Sequence, residues 1–196
     1  YAESKYAVLV VLQATDTGGK DGAIEFVFSG INPQGCQVES FKVPSTLERS
    51  HDYLWRIHAR CPPRGMIGIF NRSHYEDVLV TRVKKMIDTK TAQRRFRQIN
   101  EFERMLHEEG TTILKFFLHI SKDEQKERLI ARQRDKTKWW KFSPADVEAR
   151  KQWGDYQKAD EDMLSHTSTE YAPWYAIPAD RKWYRNWAVS EIVRAT

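Results

Sequence analysis

The sequence contains few cysteines and lacks any long apolar segment. Only two of its 196 residues are cysteine, and Cys36 and Cys61 do not form a CxxC pair. This excludes a disulfide-stabilised secreted scaffold and indicates free thiols in a reducing compartment. No apolar run is long enough to cross a bilayer, and no signal-peptide pattern occurs. We therefore expect a cytoplasmic protein with no membrane partner.

Internal repeats and low-complexity linkers are also absent. A length of 196 residues suits one domain with a substantial core, so we predict a single domain over residues 1–196. The first residue is Tyr1 rather than Met and an apolar strand follows almost at once, so we expect further N-terminal residues in the full protein. A net charge of +5 and a pI near 9.1 fit a polyanionic partner, whether nucleic acid, nucleotide or polyphosphate.

Strand patterns alternate with helix patterns along the whole chain. This order predicts an α/β fold in which a parallel sheet is covered by helices on both faces. The predicted strands are residues 8–14, 38–43, 66–70 and 111–120, with a late strand within 172–178. The predicted helices are 23–28, one from 44 that stops before 62, 78–87, 94–109, 125–135, one that begins at 143 with Ser143 as its N-cap, and 181–193.

The first strand runs directly into a turn that contains glycines and one lysine, Thr-Asp-Thr-Gly-Gly-Lys-Asp-Gly over residues 15–22. A strand, a Gly/Lys turn and a helix in this order form an anion cradle, because backbone N–H groups, the helix N-terminus and the lysine all attract phosphate. As a P-loop it is imperfect, since Ala14 replaces the first glycine and Asp21 replaces the Ser/Thr. Asp16 would repel a phosphate unless a metal ion lies between them. The alternative is a plain Gly-rich turn.

The exit of the third strand places an arginine at the same edge of the sheet. Arg72 follows Asn71 there, and a guanidinium can hold a phosphate with two hydrogen bonds. Many P-loop enzymes have a metal-binding aspartate at this exit. Asn71 carries no charge, so a metal would need Asp16, assisted by Glu76 or Asp77. The alternative for Arg72 is a structural ion pair with one of the latter two.

A charged helix follows the fourth strand and carries two arginines four residues apart, Arg128 and Arg132. This spacing puts both on one helix face. In a phosphotransferase such a helix can form a lid whose arginines neutralise the charge of the moving phosphoryl group. We place this lid at about residues 122–153. The alternative is a solvated face with pairs to Glu124 and Glu127.

Together these segments resemble the polyphosphate kinase 2 family, and within it the class III type, which acts on nucleoside mono- and diphosphates. The resemblance covers nearly the whole chain. It is carried by LQATDTGGKDG (12–22), FKVP (41–44), HDYLWR (51–56), GIFNRSHYEDVL (68–79), ILKFFLHIS (113–121), WKFS (140–143), APWY (172–175) and PADRKWYR (178–185).

The resemblance implies a three-layer P-loop kinase-like domain with a helical lid and a set of catalytic residues. Asp16 and Lys20 match the catalytic loop residues, Asn71 and Arg72 match the exit of the third strand, and Arg132 matches the lid arginine. We further expect Asp16 and Asp77 to hold Mg²⁺ and Lys20 and Lys42 to bind polyphosphate. The expected phosphate- and nucleotide-binding residues are Thr17, Gly18, Gly19, Asp21, Gly22, Glu76 and Arg128.

The expected function is Mg²⁺-dependent, reversible phosphoryl transfer from inorganic polyphosphate to AMP or ADP, giving ADP or ATP. A first alternative is an ATP-dependent nucleoside monophosphate or deoxynucleoside kinase, which has a similar loop, strand-end arginine and lid. A second is a non-catalytic polyanion-binding module, which leaves Asp16 in the loop unexplained. We expect no nucleic-acid partner, and the family resemblance suggests a homodimer or homotetramer.

Overall fold

The centre of the molecule is a sheet of five parallel strands in the order β2-β3-β1-β4-β5. The computed structural model describes residues 3–141 and 144–196. Within them the strands are β1 Ala7–Gln13, β2 Cys36–Ser40, β3 Ile67–Asn71, β4 Thr111–His119 and β5 Trp174–Pro178.

The first strand is the middle of the sheet, which explains its unbroken apolar sequence. β1 pairs with β3 on one side and with β4 on the other. Both of its edges are therefore paired, and helices pack on both of its faces. A strand covered on both faces does not alternate between apolar and polar residues. Leu12 lies opposite Asn71 and Gln13 lies opposite Phe117. The loops that follow β1 and β3 consequently leave the sheet side by side.

Helices cover both faces of the sheet and complete a three-layer fold, as predicted. Val10 and Leu12 of β1 pack into the core beneath α1 and α9, whereas Leu9 and Val11 pack into the core beneath α5 and α8. The helices are α1 Lys20–Phe28, α2 Thr46–Arg49, α3 Trp55–His58, α4 Val80–Val83, α5 Thr89–Glu108, α6 Lys122–Arg134, α7 Pro144–Lys151, α8 Trp153–Thr167 and α9 Lys182–Ala195, with 3-10 turns at Pro33–Gly35, His74–Asp77 and Lys136–Lys141. In the described residues, none of these helices has the length and apolar character that a membrane span requires.

The five predicted strands are present, but β2 occupies Cys36–Ser40 rather than 38–43, so it begins two residues and ends three residues earlier than predicted. The single helix predicted from residue 44 is wrong. A capping box of Ser45 and Glu48 starts α2, but the chain then turns, and Asp52 Oδ1 accepts a 2.9 Å hydrogen bond from the Leu54 N–H ahead of α3. The side chain of Asp52 thus satisfies a backbone donor outside a helix, which is the usual way in which aspartate interrupts one.

The helices of the second half differ from the prediction mainly at their ends. The helix predicted at 78–87 is reduced to the short α4, which follows the 3-10 turn at His74–Asp77. α5 begins at Thr89 rather than 94, because Asp88 Oδ1 accepts a 2.7 Å hydrogen bond from the Thr91 N–H and caps the helix. α8 was not expected, and it packs against α5 and α4 with Ala159 and Met163 in the core. The predicted cap Ser143 lies outside the described residues.

A charged cluster is buried inside the core between β4 and α5. Lys115 and Glu103 are both fully buried, and Lys115 Nζ lies 2.6 Å from Glu103 Oε2. The same ammonium group donates to the Tyr75 hydroxyl at 2.9 Å and to the Thr167 carbonyl at 2.7 Å. Tyr75 in turn donates to Glu103 Oε1 at 2.6 Å. The cluster connects β4, α5, the end of α8 and the turn that follows β3.

Candidate active site

The loop after β1 adopts the conformation of an anion cradle. Gly19 has φ +94° and is the N-cap of α1, and Thr17 also lies in the left-handed region with φ +68°. A Cβ on Gly18 would lie 2.4 Å from the Ala14 Cβ, so only glycine fits there. The hydroxyl of Thr17 is buried without a hydrogen-bond partner among the described residues. The tight path of this loop aims the first N–H groups of α1 outward, where they can bind an oxyanion.

Lys20 lies beneath the loop and is almost fully buried. Its ammonium group donates a 3.0 Å hydrogen bond to the Ala14 carbonyl. Burial and the neighbouring Arg72 lower the pKa of Lys20, while Asp16 and Glu76 act in the opposite direction. An ammonium group has three N–H donors, and one of those of Lys20 is used by the Ala14 carbonyl, so the group can also bind a phosphate oxygen directly.

Asp16 and Arg72 meet above this loop from two different strand ends. Arg72 Nη2 lies 2.9 Å from Asp16 Oδ1, and Arg72 Nη1 lies 3.9 Å from Glu76 Oε2. Arg72 has φ +64°, so its backbone is held in a conformation that non-glycine residues rarely adopt. Backbone outliers of this kind cluster at functional sites. Next to this pair, Asn71 Nδ2 donates a 2.8 Å hydrogen bond to Asp21 Oδ1 and connects the end of β3 to α1.

The charged helix α6 contacts the loop through Arg128. This guanidinium donates to the Thr17 carbonyl at 3.0 Å and to the Ala179 carbonyl at 2.6 Å, and it pairs with Glu124 at 2.7 Å. Arg128 therefore forms the ion pair with Glu124 that the sequence analysis gave as the alternative, and it also contacts the backbone of the phosphate loop. Gln125, one turn earlier, donates to the Asp16 carbonyl at 3.3 Å.

Arg132 lies further from the loop. It pairs with Asp146 across the two helices of the predicted lid, with a distance of 3.8 Å between Nη1 and Oδ2. Arg150 of α7 connects the same helices, because it donates to the Lys122 carbonyl and to Gln125. The predicted lid thus consists of α6 and α7, held together by arginine contacts.

Two predicted site residues are not brought to the loop. The Asp77 carboxylate faces Arg56 at 3.9 Å and Arg95 at 4.0 Å, since it lies on the other side of the 3-10 turn from Glu76. Lys42 is exposed beyond the end of β2, where its carbonyl accepts a hydrogen bond from Arg56. Glu76, rather than Asp77, is the carboxylate that joins Asp16 and Arg72 beside the loop.

A pocket beside the loop contains residues that were not expected from the sequence. Trp153, Tyr156 and Asp160 of α8 line it together with Leu79 and Val80, and with Asp16, Arg72 and Glu76 on the polar side. Asp160 is buried, and its Oδ2 has no hydrogen-bond partner among the described residues. Burial raises the pKa of Asp160 to about 7, with a further contribution from Glu76. The signal in the sequence that could have identified Trp153, Tyr156 and Asp160 is their spacing of three and four residues, which places them on one helix face.

The carboxylates at the site suit a hard divalent cation. Asp16 and Glu76 line the same pocket, and Mg²⁺ prefers such oxygen ligands. Among the described residues, no cluster of three or more His, Cys, Asp or Glu side chains has the geometry of a metal site. In kinases, one or two carboxylates usually share the ion with water and substrate phosphates.

The comparisons with known proteins agree with this geometry. The sequence profile of the family "Polyphosphate kinase 2 (PPK2)" matches residues 1–196. The chain belongs to the polyphosphate kinase 2 family. It is 59% identical over 196 residues to the AMP/ADP-polyphosphate phosphotransferase of Meiothermus ruber. The alignment covers all of this chain and 73% of that protein. Family membership makes the chain a phosphotransferase of the polyphosphate kinase type, and such kinases generally need a divalent metal.

Solved structures support the same family and fold. The crystal structure of polyphosphate kinase 2 from Arthrobacter aurescens TC1 superposes with a TM-score of 0.94 at 48% identity, over 96% of this chain and 67% of that one. The deoxyadenosine kinase of M. mycoides superposes with a TM-score of 0.53 at 14% identity, over 97% of this chain and 100% of that one. The latter likeness shows the fold alone. The predicted P-loop kinase-like fold is therefore confirmed.

Proposed function

We propose that this chain catalyses reversible, Mg²⁺-dependent phosphoryl transfer from inorganic polyphosphate to AMP or ADP. The observation that carries the proposal is the convergence of Lys20, Arg72 and Arg128 on one glycine loop that also contains Asp16. Three cations around a loop suit a highly charged phosphate chain, and a carboxylate among them suits a metal ion. The relative from Meiothermus ruber is named for this combination of donor and acceptors.

The donor phosphates bind over the loop in this proposal. The N–H groups from Gly18 to Gly22 and the Lys20 ammonium group hold the oxygens of the terminal phosphates. Arg72 exchanges part of its ion pair with Asp16 for a phosphate oxygen. Since phosphoryl transfer requires little covalent work from the protein, alignment and charge neutralisation supply most of the catalysis.

The acceptor nucleotide binds in the pocket between the loop and α8. Its base and sugar pack against the apolar side formed by Trp153, Tyr156 and Leu79, and its phosphate points towards Arg72. A terminal phosphate oxygen of the acceptor attacks the terminal phosphorus of the polyphosphate. The bridging P–O bond of the donor breaks, and its electron pair stays on the shortened polyphosphate. One phosphoanhydride replaces another, so the reaction runs in both directions.

Asp16 holds the Mg²⁺ ion in this arrangement, with Glu76 as the nearby second carboxylate. When bound, the ion neutralises phosphate charge between donor and acceptor. Glu76 takes the place of Asp77, the second metal ligand predicted from the sequence, because the Asp77 carboxylate faces Arg56 and Arg95. Arg132 acts from the lid when α6 and α7 close over the phosphates, as the family resemblance implies. The Asn71 amide nitrogen donates to Asp21 of α1, and the amide oxygen of Asn71 would bind a water molecule or the metal ion.

The experiment that tests the proposal is a nucleotide-product assay with matched donors. The chain is supplied with Mg²⁺ and AMP or ADP, together with either long-chain polyphosphate or a second nucleoside triphosphate. We expect ADP and ATP to form with polyphosphate and not with the nucleoside triphosphate. Transfer from the nucleoside triphosphate alone would instead identify a conventional nucleotide kinase. Oligonucleotide binding without any transfer would identify a polyanion-binding module.

A Lys20→Ala variant makes the assay specific to this site. Among the described residues the Lys20 ammonium group donates only to the Ala14 carbonyl, so its loss leaves the ion pairs of Arg72 and Arg128 in place. The matched control is Lys42→Ala, because Lys42 is exposed and lies outside the pocket. We expect Lys20→Ala to lose turnover and Lys42→Ala to keep it at saturating polyphosphate. Near-normal turnover in Lys20→Ala would remove Lys20 from the mechanism.

A further inference from the structure

A buried arginine from the last helix lies against the phosphate loop. Arg185 of α9 is only 3% exposed. Its guanidinium touches Gly19, because a Cβ built on Gly19 would lie 2.0 Å from Arg185 Nη1. Nε and Nη2 both donate to the neighbouring Asn186 Oδ1, at 2.9 and 2.6 Å. Nη1 has no hydrogen bond to any described residue and is the donor nearest to the loop.

Arg185 has no negative partner in the described part of the chain. No Asp or Glu there forms an ion pair with it, and the charged side chain that affects it most is Arg128, another cation. Burial and Arg128 lower the pKa of Arg185 to about 10. A buried charge without a partner is costly, and natural proteins keep such groups mainly where a ligand supplies the opposite charge.

Three sources of positive potential meet at this corner of the loop. Arg185 and Arg128 approach Gly19 together, since a Cβ on Gly19 would lie 3.5 Å from Arg128 Nη1. Gly19 is also the N-cap of α1, a helix of nine residues, so the positive end of its dipole points the same way. Glu124 compensates Arg128 only, and it does so through Nε. The net charge at this corner is therefore positive.

This corner lies on the other side of the loop from the nucleotide pocket. Ala14, Thr15 and Asp16 line the pocket, whereas Gly19, Arg128 and Arg185 do not. The loop thus has two sides, one towards α8 with apolar and acidic walls and one towards α9 with arginines. A nucleotide matches the first side, and a chain of phosphates without a base matches the second.

We propose that Arg185 binds a phosphate of the donor phosphoanhydride chain at the Gly19 corner, on the opposite side of the loop from the acceptor nucleotide. Arg185 is then a donor-binding residue contributed by the C-terminal helix. The identification of the donor as polyphosphate rests on the proposed function. The binding of a phosphoanhydride chain by Arg185 does not depend on the proposed function, because it rests on the buried, uncompensated charge and on its contact with Gly19.

Thermal unfolding with and without phosphate ligands separates this role from a structural one. The variants are Arg185→Met and Arg185→Lys, and the matched control is Arg181→Met, which removes an exposed arginine at the start of the same helix. The ligands are tripolyphosphate, ATP and AMP. If Arg185 binds a phosphate, Arg185→Met keeps or raises the Tm of the free protein, and tripolyphosphate raises that Tm less than it raises the Tm of the natural chain. Arg181→Met responds like the natural chain.

Steady-state kinetics provide a second measurement that a structural role does not affect. We expect Arg185→Met to raise KM for polyphosphate by at least about tenfold, the equivalent of one charge-assisted hydrogen bond. KM for AMP stays within about twofold of its original value. Arg185→Lys keeps the charge and recovers part of the loss.

The outcomes are distinguishable from failure of the proposed function. A lower Tm for both Arg185 variants with an intact tripolyphosphate shift would overturn the inference and make Arg185 a structural residue. A rise in KM for AMP alone would also overturn it. A shift that depends on Arg185 with ATP and not with tripolyphosphate would leave Arg185 as a donor-binding residue and would contradict polyphosphate as the donor.

Discussion

Arg72 Nη2 lies 2.9 Å from Asp16 Oδ1, so the exits of β1 and β3 are joined by an ion pair across the phosphate loop. Both side chains remain partly exposed, at 43% and 31%. Solvent screening makes such a pair a small contributor to stability. In the proposed mechanism the pair has a functional role, since it keeps a cation for a phosphate and a carboxylate for a metal ion at one place.

Replacing Asp16 should therefore affect turnover far more than folding. We expect Asp16→Asn to lower kcat by about 10²–10³-fold, the usual loss when one charge-stabilising group is removed. The free energy of unfolding should change by no more than about 1 kcal/mol, because the pair is exposed. Glu25→Gln on the exposed face of α1 is the matched control. Equal losses in both variants, or a large fall in stability of Asp16→Asn alone, would contradict the assignment.

The two last arginines of α6 provide a test of the lid. Arg132 pairs with Asp146 of α7, whereas Arg134 is exposed and has no polar partner in the described part of the chain. We expect Arg132→Ala to reduce kcat by at least about 10²-fold, because the lid then lacks its charge on the transferred phosphoryl group. Arg134→Ala should retain kcat. Measuring kcat and KM for both variants decides between a catalytic lid and a solvated helix face. If α6 only presents a solvated face, the two variants should behave alike.

The buried pair of Lys115 and Glu103 should show strong energetic coupling. Lys115→Met leaves the Glu103 carboxylate buried without its cation, and we expect a loss of about 3–5 kcal/mol in the free energy of unfolding. Adding Glu103→Gln should restore part of that loss, because the amide keeps an acceptor for Tyr75 without a charge. Urea unfolding of the single and double variants measures the coupling. Strict additivity would mean that the pair acts as two independent residues.

Three glycines allow backbone strain to be separated from steric contact. Gly110→Ala meets no atom within 4 Å but has φ +92°, so we expect a loss of about 1–2 kcal/mol. Gly154→Ala also meets no atom and lies inside α8, where we expect a gain of about 0.5–1 kcal/mol. Gly19→Ala combines φ +94° with contact to Arg185 and should lose activity as well as stability. Thermal unfolding and turnover of the three variants test the series, and an active Gly19→Ala would contradict it.

The buried Asp160 should make stability depend on pH. Its pKa is raised from 3.8 to about 7, so the folded state holds this proton over a range in which the unfolded chain has lost it. The free energy of unfolding then falls as pH rises through that range, by up to about 4 kcal/mol in total, and levels off above it. Glu76 and Glu161 strengthen the effect and Lys20 opposes it.

The Asp160→Asn variant isolates this contribution. The difference in unfolding free energy between the natural chain and the variant should decrease from about pH 4 to about pH 7 and be constant beyond that. Asp155→Asn, on the exposed side of the same helix, controls for the loss of a carboxylate. A difference that does not vary with pH would mean that Asp160 is ionised in the folded protein throughout.

The sequence by itself determined the sheet, most of the helices and the phosphate loop. These features follow from apolar runs, capping residues and glycines, whose effects act between neighbours in the chain. The places of Lys20 in this loop and of Arg72 at the exit of β3 also follow from it, because both are fixed by the strand that precedes them in the chain. The family resemblance, carried by long motifs, agreed with the comparisons over the whole chain.

The tertiary structure decided which distant side chains complete the site. Glu76 rather than Asp77 faces the loop. The Asp77 carboxylate instead lies beside Arg56 and Arg95 on the other side of the same turn. Asp160 and Arg185 reach the site from α8 and α9, far along the chain from the loop. Their positions depend on how those helices pack on opposite faces of the sheet, and no local pattern of residues encodes that packing.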